Sequence, residues 1–183
     1  MTSNYTMLHT SDEIDQRIGE LATDIIRDYP DTSPLFIALL RGAAPFASKL
    51  MFALAKLDPN FHPVIDYMMV STYGEDHTAK QPVIVTDLAP KTELVGRDVI
   101  ILDDVIDLGV TSDFVQHTLL QRGARSVKLA VLGNKTVPSR ISQADYIGFE
   151  CGDKWLVGMG LDDAKAGHEY YRWLDEIWEI SKE

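Results

Sequence analysis

Across 183 residues the chain carries a single cysteine, Cys151. One thiol excludes an intramolecular disulfide framework and fits a reducing cytosol. Its plain reading is a small buried hydrophobe rather than a nucleophile. Long apolar runs are missing as well, and none approaches transmembrane length. Residues 1–10 have neither the basic start nor the apolar core of a signal peptide. The expectation from these absences is a cytoplasmic protein with no membrane partner. Basic residues are scarce: 17 Lys and Arg stand against 28 Asp and Glu, a net charge of −11. A nucleic-acid surface needs a basic footprint, so this balance argues against one. It does not exclude a small anionic ligand, because a few cationic groups, backbone N–H groups and a bound metal ion dominate the field inside a cleft. Repeats, low-complexity tracts and an interdomain linker are also lacking. One domain over residues 1–183 is expected, long enough to bury a real core.

What the chain does have is alternation. Thr10-Ser11-Asp12-Glu13 reads as a capping box, with Ile14, Ile18, Leu21 and Ile25 behind it at helical spacing. Tyr29-Pro30-Asp31 stops that helix. Residues 35–40 form a continuous apolar strand, followed by Arg41-Gly42 and a helix over residues 43–56. Further strands are predicted at residues 64–70, 83–86, 98–102, 126–132 and 146–149, with residues 74–82 polar and irregular. Residues 113–122 read as a helix closed by Gly123. Such units predict a mostly parallel sheet in an α/β domain. Near the C-terminus, Trp173, Leu174, Ile177 and Trp178 recur at helical spacing, which predicts a helix docked on the core.

The most informative stretch runs Val99-Ile100-Ile101-Leu102-Asp103-Asp104-Val105-Ile106-Asp107-Leu108-Gly109-Val110-Thr111-Ser112. It reads as a buried strand with two adjacent carboxylates at its end, then a loop of Asp, Gly, Thr and Ser that opens a helix. In open α/β sheets ligands bind outside the carboxyl ends of the strands. Backbone N–H groups at a helix N-terminus make an anion site. Carboxylates beside an anion site suit a ligand with hydroxyl donors, or a divalent cation that balances the charge. A phosphorylated sugar with Mg²⁺ meets both conditions. The competing reading is a Rossmann-like strand whose acids are merely solvated at the sheet edge.

This run resembles the phosphoribosyl-pyrophosphate (PRPP) motif of the type I phosphoribosyltransferases: apolar strand, two acids, two apolar residues, then Asp, Thr, Gly, a variable residue and Thr. The resemblance extends over residues 39–162 and is nearest to the hypoxanthine-guanine branch. It implies an α/β fold with a mostly parallel sheet flanked by helices and a small hood built from chain segments outside the core. It also implies transfer of ribose 5-phosphate from PRPP to N9 of hypoxanthine or guanine, with pyrophosphate released and Mg²⁺ as cofactor. On this resemblance Asp103 and Asp104 hold the ribose hydroxyls, directly or through Mg²⁺. Asp107, Leu108, Gly109, Val110 and Thr111 cradle the 5-phosphate, with Asp107 the candidate general base. Leu40-Arg41-Gly42 matches the pyrophosphate loop, often formed there through a cis peptide.

Val70-Ser71-Thr72-Tyr73-Gly74 resembles the start of the family's flexible loop, which excludes water from an oxocarbenium-like sugar. Lys135 matches the lysine that donates to a purine six-position oxygen. Trp155 would stack on the base, backbone groups near Leu156 would read its edge, and Asp162 would help bind Mg²⁺. A homodimer or homotetramer is the implied assembly. The chain departs from the family pattern in four places. Leu108 stands where Thr is frequent, and Asp103 where Glu is frequent. Ala79-Lys80-Gln81-Pro82 replaces a Ser-Ser-Gly segment. Residues 164–169 intervene before Tyr170-Tyr171-Arg172, which leaves the reach of Arg172 to pyrophosphate open. A xanthine-preferring enzyme and a non-catalytic PRPP-binding regulator remain as alternatives.

Overall fold

The computed structural model describes residues 4–73, 79–163 and 169–181. Six strands form the main sheet: β2 (Leu35–Leu40), β3 (Val64–Tyr73), β4 (Ala79–Thr86), β5 (Asp98–Ile106), β6 (Ser126–Lys135) and β7 (Tyr146–Gly152). Their order is β4-β3-β2-β5-β6-β7, with every pairing parallel except β3 with β4. Helices α1 (Ser11–Asp28) and α2 (Ala44–Leu57) cover one face and α3 (Val110–Gln121) the other. Along the central strands the side chains alternate between two cores. Phe36, Ala38, Ile100 and Leu102 join the α1/α2 core; Leu35, Ile37, Leu39, Val99 and Ile101 join the α3 core. A strand buried on both faces must read as a continuous apolar run, which is why these two were legible.

The capping box at Thr10 is formed, and Ile14, Ile18, Leu21 and Ile25 are all buried. A second, antiparallel sheet of order β1-β9-β8 joins β1 (Tyr5–His9), β8 (Trp155–Val157) and β9 (Ile177–Ile180). This is the hood that the resemblance implied, built from both ends of the chain. No described helix is long and apolar enough to cross a membrane. Cys151 is buried, and burial pushes its thiol pKa up, as an inert core cysteine requires.

Four sequence expectations need correction. The acids do not end their strand: β5 continues to Ile106 because parallel pairing with β6 runs on through Asp103↔Val131, Val105↔Gly133 and Ile106↔Asn134. The helix expected over residues 113–122 begins at Val110, so Thr111 and Ser112 lie in its first turn. Residues 79–82 are not irregular but part of β4, an edge strand where Pro82 forfeits no ladder bond to a further neighbour. The remainder of that loop expectation, residues 74–78, lies outside the described residues. The docked C-terminal helix is absent. Glu169–Trp173 form one 3₁₀ turn and β9 follows, inserted between β1 and β8. Pairing on both edges overrode a helical spacing in which Trp173, at 76% exposure, buries little.

Candidate active site

The sheet has one topological switch point. From β2 the chain crosses through α2 to β3 on one side; from β5 it crosses through α3 to β6 on the other. The carboxyl ends of these neighbours diverge, and a crevice opens between them. The functional candidates gather around it.

At the end of β2 the Leu40–Arg41 peptide is cis. The chain turns tightly there, with Ala43 N–H donating to the Leu39 carbonyl at 3.1 Å. Gly42 is the contact point. A Cβ on it would run into the Asp104 carboxylate, and a Cβ on Gly160 would run into the Gly42 carbonyl. Hood, β2 turn and acid pair are therefore stacked with no room for a side chain between them. The Arg41 side chain is largely exposed, 3.5 Å from Glu169.

The two acids are adjacent on β5, and their carboxyl groups interact with each other. Asp103 lines a cavity of about 350 Å³ together with Thr72, Asp107, Leu108, Gly109, Val110 and Thr111, while Asp104 lies against Gly42. Tyr73 follows Thr72 as the last residue of β3. Desolvation, reinforced by the adjacent Asp104 charge, pushes the Asp103 pKa well up; burial raises Asp104 too, opposed in part by the Val105 N–H that donates to it, by the Asp103 carboxyl and by the Arg172 charge. Two carboxylates this disfavoured as anions suit a hard divalent cation, and oxygen donors fit Mg²⁺. Among the described residues no cluster of three or more His, Cys, Asp or Glu could enclose a metal. Mg²⁺ is usually bound through one or two carboxylates, with waters and substrate phosphates as its other ligands.

Gly109 caps α3 with φ +81°, a left-handed conformation that glycine adopts without strain. Val110, Thr111 and Ser112, in the first turn of α3, line the cavity, and the unpaired N–H groups of such a turn with a Thr hydroxyl are the makings of an anion cradle. Leu108 is 46% exposed, so its side chain is not a core element. The outer side of this loop is held by the β6–β7 connection: Ile141 N–H donates to the Leu108 carbonyl at 3.0 Å, and Arg140 Nε to the Asp107 carbonyl at 3.1 Å.

Lys135 is the last residue of β6 rather than a residue beyond the strand. Its Nζ lies 3.4 Å from Asp107 Oδ2 and 5.5 Å from the Trp155 ring centroid. Leu156 is buried, so only its backbone could read a ligand edge. Asp162 Oδ2 accepts from Arg172 Nη2 at 2.5 Å, and Arg172 Nη1 also donates to the Gly160 carbonyl at 2.5 Å. Arg172, whose reach was open from sequence, thus bridges the 3₁₀ turn to the hood beside Asp104.

Three participants in this geometry were not singled out from sequence. Gly160 falls within the span of the resemblance, but close approach of two backbones leaves no mark in a local pattern that would give it a role. Arg140 lies in the β6–β7 connection, outside the motif residues. Asn134 is only 8% exposed; a polar residue at the end of an apolar strand, next to a candidate lysine, was its one clue.

Known proteins share this fold and much of this sequence. A family model for the phosphoribosyl transferase domain matches residues 4–164. The hypoxanthine-guanine phosphoribosyltransferase of Bacillus subtilis (strain 168) is 35% identical over 173 residues, spanning 93% of this chain and 90% of that protein. That of Streptococcus pyogenes serotype M3 (strain ATCC BAA-595 / MGAS315) is 31% identical over 179 residues, spanning 97% and 93%. The crystal structure of a hypoxanthine-guanine phosphoribosyltransferase from Bacillus anthracis str. 'Ames Ancestor' superposes with a TM-score of 0.80 at 28% identity, covering 95% of this chain and 96% of that one.

Proposed function

The chain belongs to the phosphoribosyl transferase family, and we propose that this phosphoribosyltransferase serves purine salvage, moving ribose 5-phosphate from PRPP to N9 of hypoxanthine or guanine. One observation carries the choice of base: the Lys135 ammonium stands 3.4 Å from the Asp107 carboxylate and beside the face of Trp155. A donor, an acceptor and an aromatic face side by side fit a flat base with a six-position oxygen and a ring nitrogen that must shed a proton.

The division of labour follows from the residues. Backbone N–H groups of residues 107–111 and the Thr111 hydroxyl hold the 5-phosphate. Asp103 and Asp104 accept from the ribose hydroxyls. Trp155 stacks on the purine, the Leu156 backbone reads its edge and Lys135 donates to the six-position oxygen. Asp107 takes the ring proton as N9 attacks the sugar. Arg41 and Gly42 receive the departing pyrophosphate, with Thr72 and Tyr73 at the base of a segment that keeps water out. Mg²⁺, held by Asp103 and Asp104 with help from Asp162, would neutralise the charge of the phosphates when bound. No protein nucleophile is needed. We place the enzyme in the cytoplasm as a single domain and as a homodimer or homotetramer; exposed Phe52, Val83 and Val85 supply apolar surface for the assembly.

A panel of bases tests this reading, with pyrophosphate release followed for hypoxanthine, guanine, xanthine, adenine and uracil in the presence of PRPP and Mg²⁺. Turnover of hypoxanthine and guanine is expected. Turnover of adenine or uracil with none for 6-oxopurines overturns it, xanthine alone would mark a xanthine-preferring enzyme, and silence with every base a regulator.

Lys135→Ala sharpens the same test. Losing the donor leaves the purine oxygen unpaired at a cost of about 1–3 kcal/mol, so kcat/KM for hypoxanthine should fall roughly 5- to 150-fold. Discrimination against adenine should shrink while PRPP affinity holds. Equal loss of PRPP affinity would assign the lysine to the phosphates instead. Leu108→Thr should act in the opposite sense. The leucine is half exposed and adds little to the core, whereas a hydroxyl bonded to a phosphate is worth about 1.5–3 kcal/mol at best. PRPP should bind several-fold tighter by calorimetry; weaker binding would show that this loop depends on the leucine.

A further inference from the structure

We propose that Arg140 is a positioning residue for the phosphate cradle, setting the direction of its N–H donors from behind the loop. The inference rests on the reading of residues 107–111 as the 5-phosphate site.

In a trans peptide the carbonyl of one residue and the N–H of the next point in opposite directions. Arg140 Nε holds the Asp107 carbonyl at 3.1 Å, and Ile141 N–H holds the Leu108 carbonyl at 3.0 Å. Both carbonyls are thereby turned toward the β6–β7 connection. The N–H groups of Leu108 and Gly109 must then point the other way, toward the cavity that these two residues line. A cradle works only if its donors are aimed before the phosphate arrives. Two hydrogen bonds on the far side of the loop do the aiming.

Arg140 is itself fixed. Its Nη1 donates to Asn134 Oδ1 at 2.5 Å, and Asn134 Nδ2 donates to both Glu150 carboxylate oxygens, at 2.9 and 2.8 Å. The buried amide therefore accepts from the guanidinium and donates to the carboxylate, and only this orientation satisfies both neighbours. The chain Glu150–Asn134–Arg140 runs from β7 through β6 to the Asp107 carbonyl, while Lys135, next along β6, meets the Asp107 side chain. Backbone and carboxylate of Asp107 are thus each tied to the same end of β6. A guanidinium spans two separate acceptors with its rigid fork; a lysine ammonium in its place keeps the charge but not the span.

The test compares Arg140→Ala and Arg140→Lys with wild type, by calorimetry of PRPP with Mg²⁺ in the absence of base and by steady-state kinetics with hypoxanthine. Arg140→Ala should weaken PRPP about tenfold, as expected for a cradle that loses one aimed donor. Its kcat should fall roughly 10- to 100-fold, the scale set by small misplacements of reacting groups. The KM for hypoxanthine should stay within about twofold, because Trp155 and Lys135 are untouched. Arg140→Lys should recover only part of the loss, and it carries the test alone if the alanine variant does not fold. PRPP affinity and kcat within twofold of wild type in Arg140→Ala overturn the proposal. So does full recovery in Arg140→Lys with a loss that varies with salt, which would make Arg140 a charge and nothing more. A fall in melting temperature with equal losses for both substrates would make it merely structural. If wild type turns over no 6-oxopurine the functional reading fails by itself, and PRPP calorimetry still decides the role of Arg140.

Discussion

Asp107→Asn is expected to lower turnover about 10²- to 10³-fold, the usual contribution of a positioned general base, while PRPP affinity stays within a few-fold of wild type. The separation follows from how the residue is held. Its carbonyl is fixed by Arg140 and the next one by Ile141, and neither bond involves the carboxylate. The amide keeps the size of the side chain, so the cradle and the start of α3 should survive. What is lost is the only group on this loop able to take a proton from the base, together with the partner of Lys135 at 3.4 Å. Single-turnover rates with hypoxanthine, set beside PRPP calorimetry, read the two effects separately. A variant with near wild-type turnover would reduce Asp107 to a former of the loop. A variant that loses PRPP as severely as turnover would mean that the carboxylate organises the cradle itself.

The sequence spoke clearly wherever burial forces a pattern. Residues 35–40 and 98–102 read as buried strands because both of their faces are covered, and α1 read as a helix because one of its faces is. The acid pair and the glycine-bearing loop were legible for the same reason: polar residues interrupt an apolar run at the place where the sheet stops being core. Limits appeared where partners distant in the chain decide the structure. Residues 177–180 form a strand only because β1 and β8 flank them. β5 outlasts its apolar run because β6 keeps pairing with it. The reach of Arg172 was open from its place in the chain, and the hood folds back and brings it to Asp162 and Gly160. None of these follows from a local window, since the information lies in which segments meet.

The stack of Gly160 on Gly42 on Asp104 yields the second large effect. Gly160→Ala should cost both stability and turnover, because two penalties coincide. The residue has φ +102°, which a side chain resists, and its new Cβ would collide with the Gly42 carbonyl. A backbone atom cannot rotate aside as a long side chain can, so the hood turn or the β2 turn must shift. Gly160 N–H donates to the Arg172 carbonyl at 2.9 Å and its carbonyl accepts from the Arg172 side chain, so the hood turn is anchored from behind. The β2 turn is the side that should give, carrying Arg41 and Gly42 off Asp104. Strained backbone of this kind costs about 1–3 kcal/mol, or roughly 2–12 °C of melting temperature for a chain of this size. Displacement of the loop by about an ångström should lower kcat on the order of 10²-fold. Gly152→Ala supplies the control: its φ is +62°, but a Cβ there meets nothing within 4 Å. That variant carries the backbone strain alone, so its melting temperature should drop less and its kcat should stay near wild type. Equal drops in the two variants, with turnover intact in Gly160→Ala, would show that the hood can move away from the β2 turn without disturbing the acid pair.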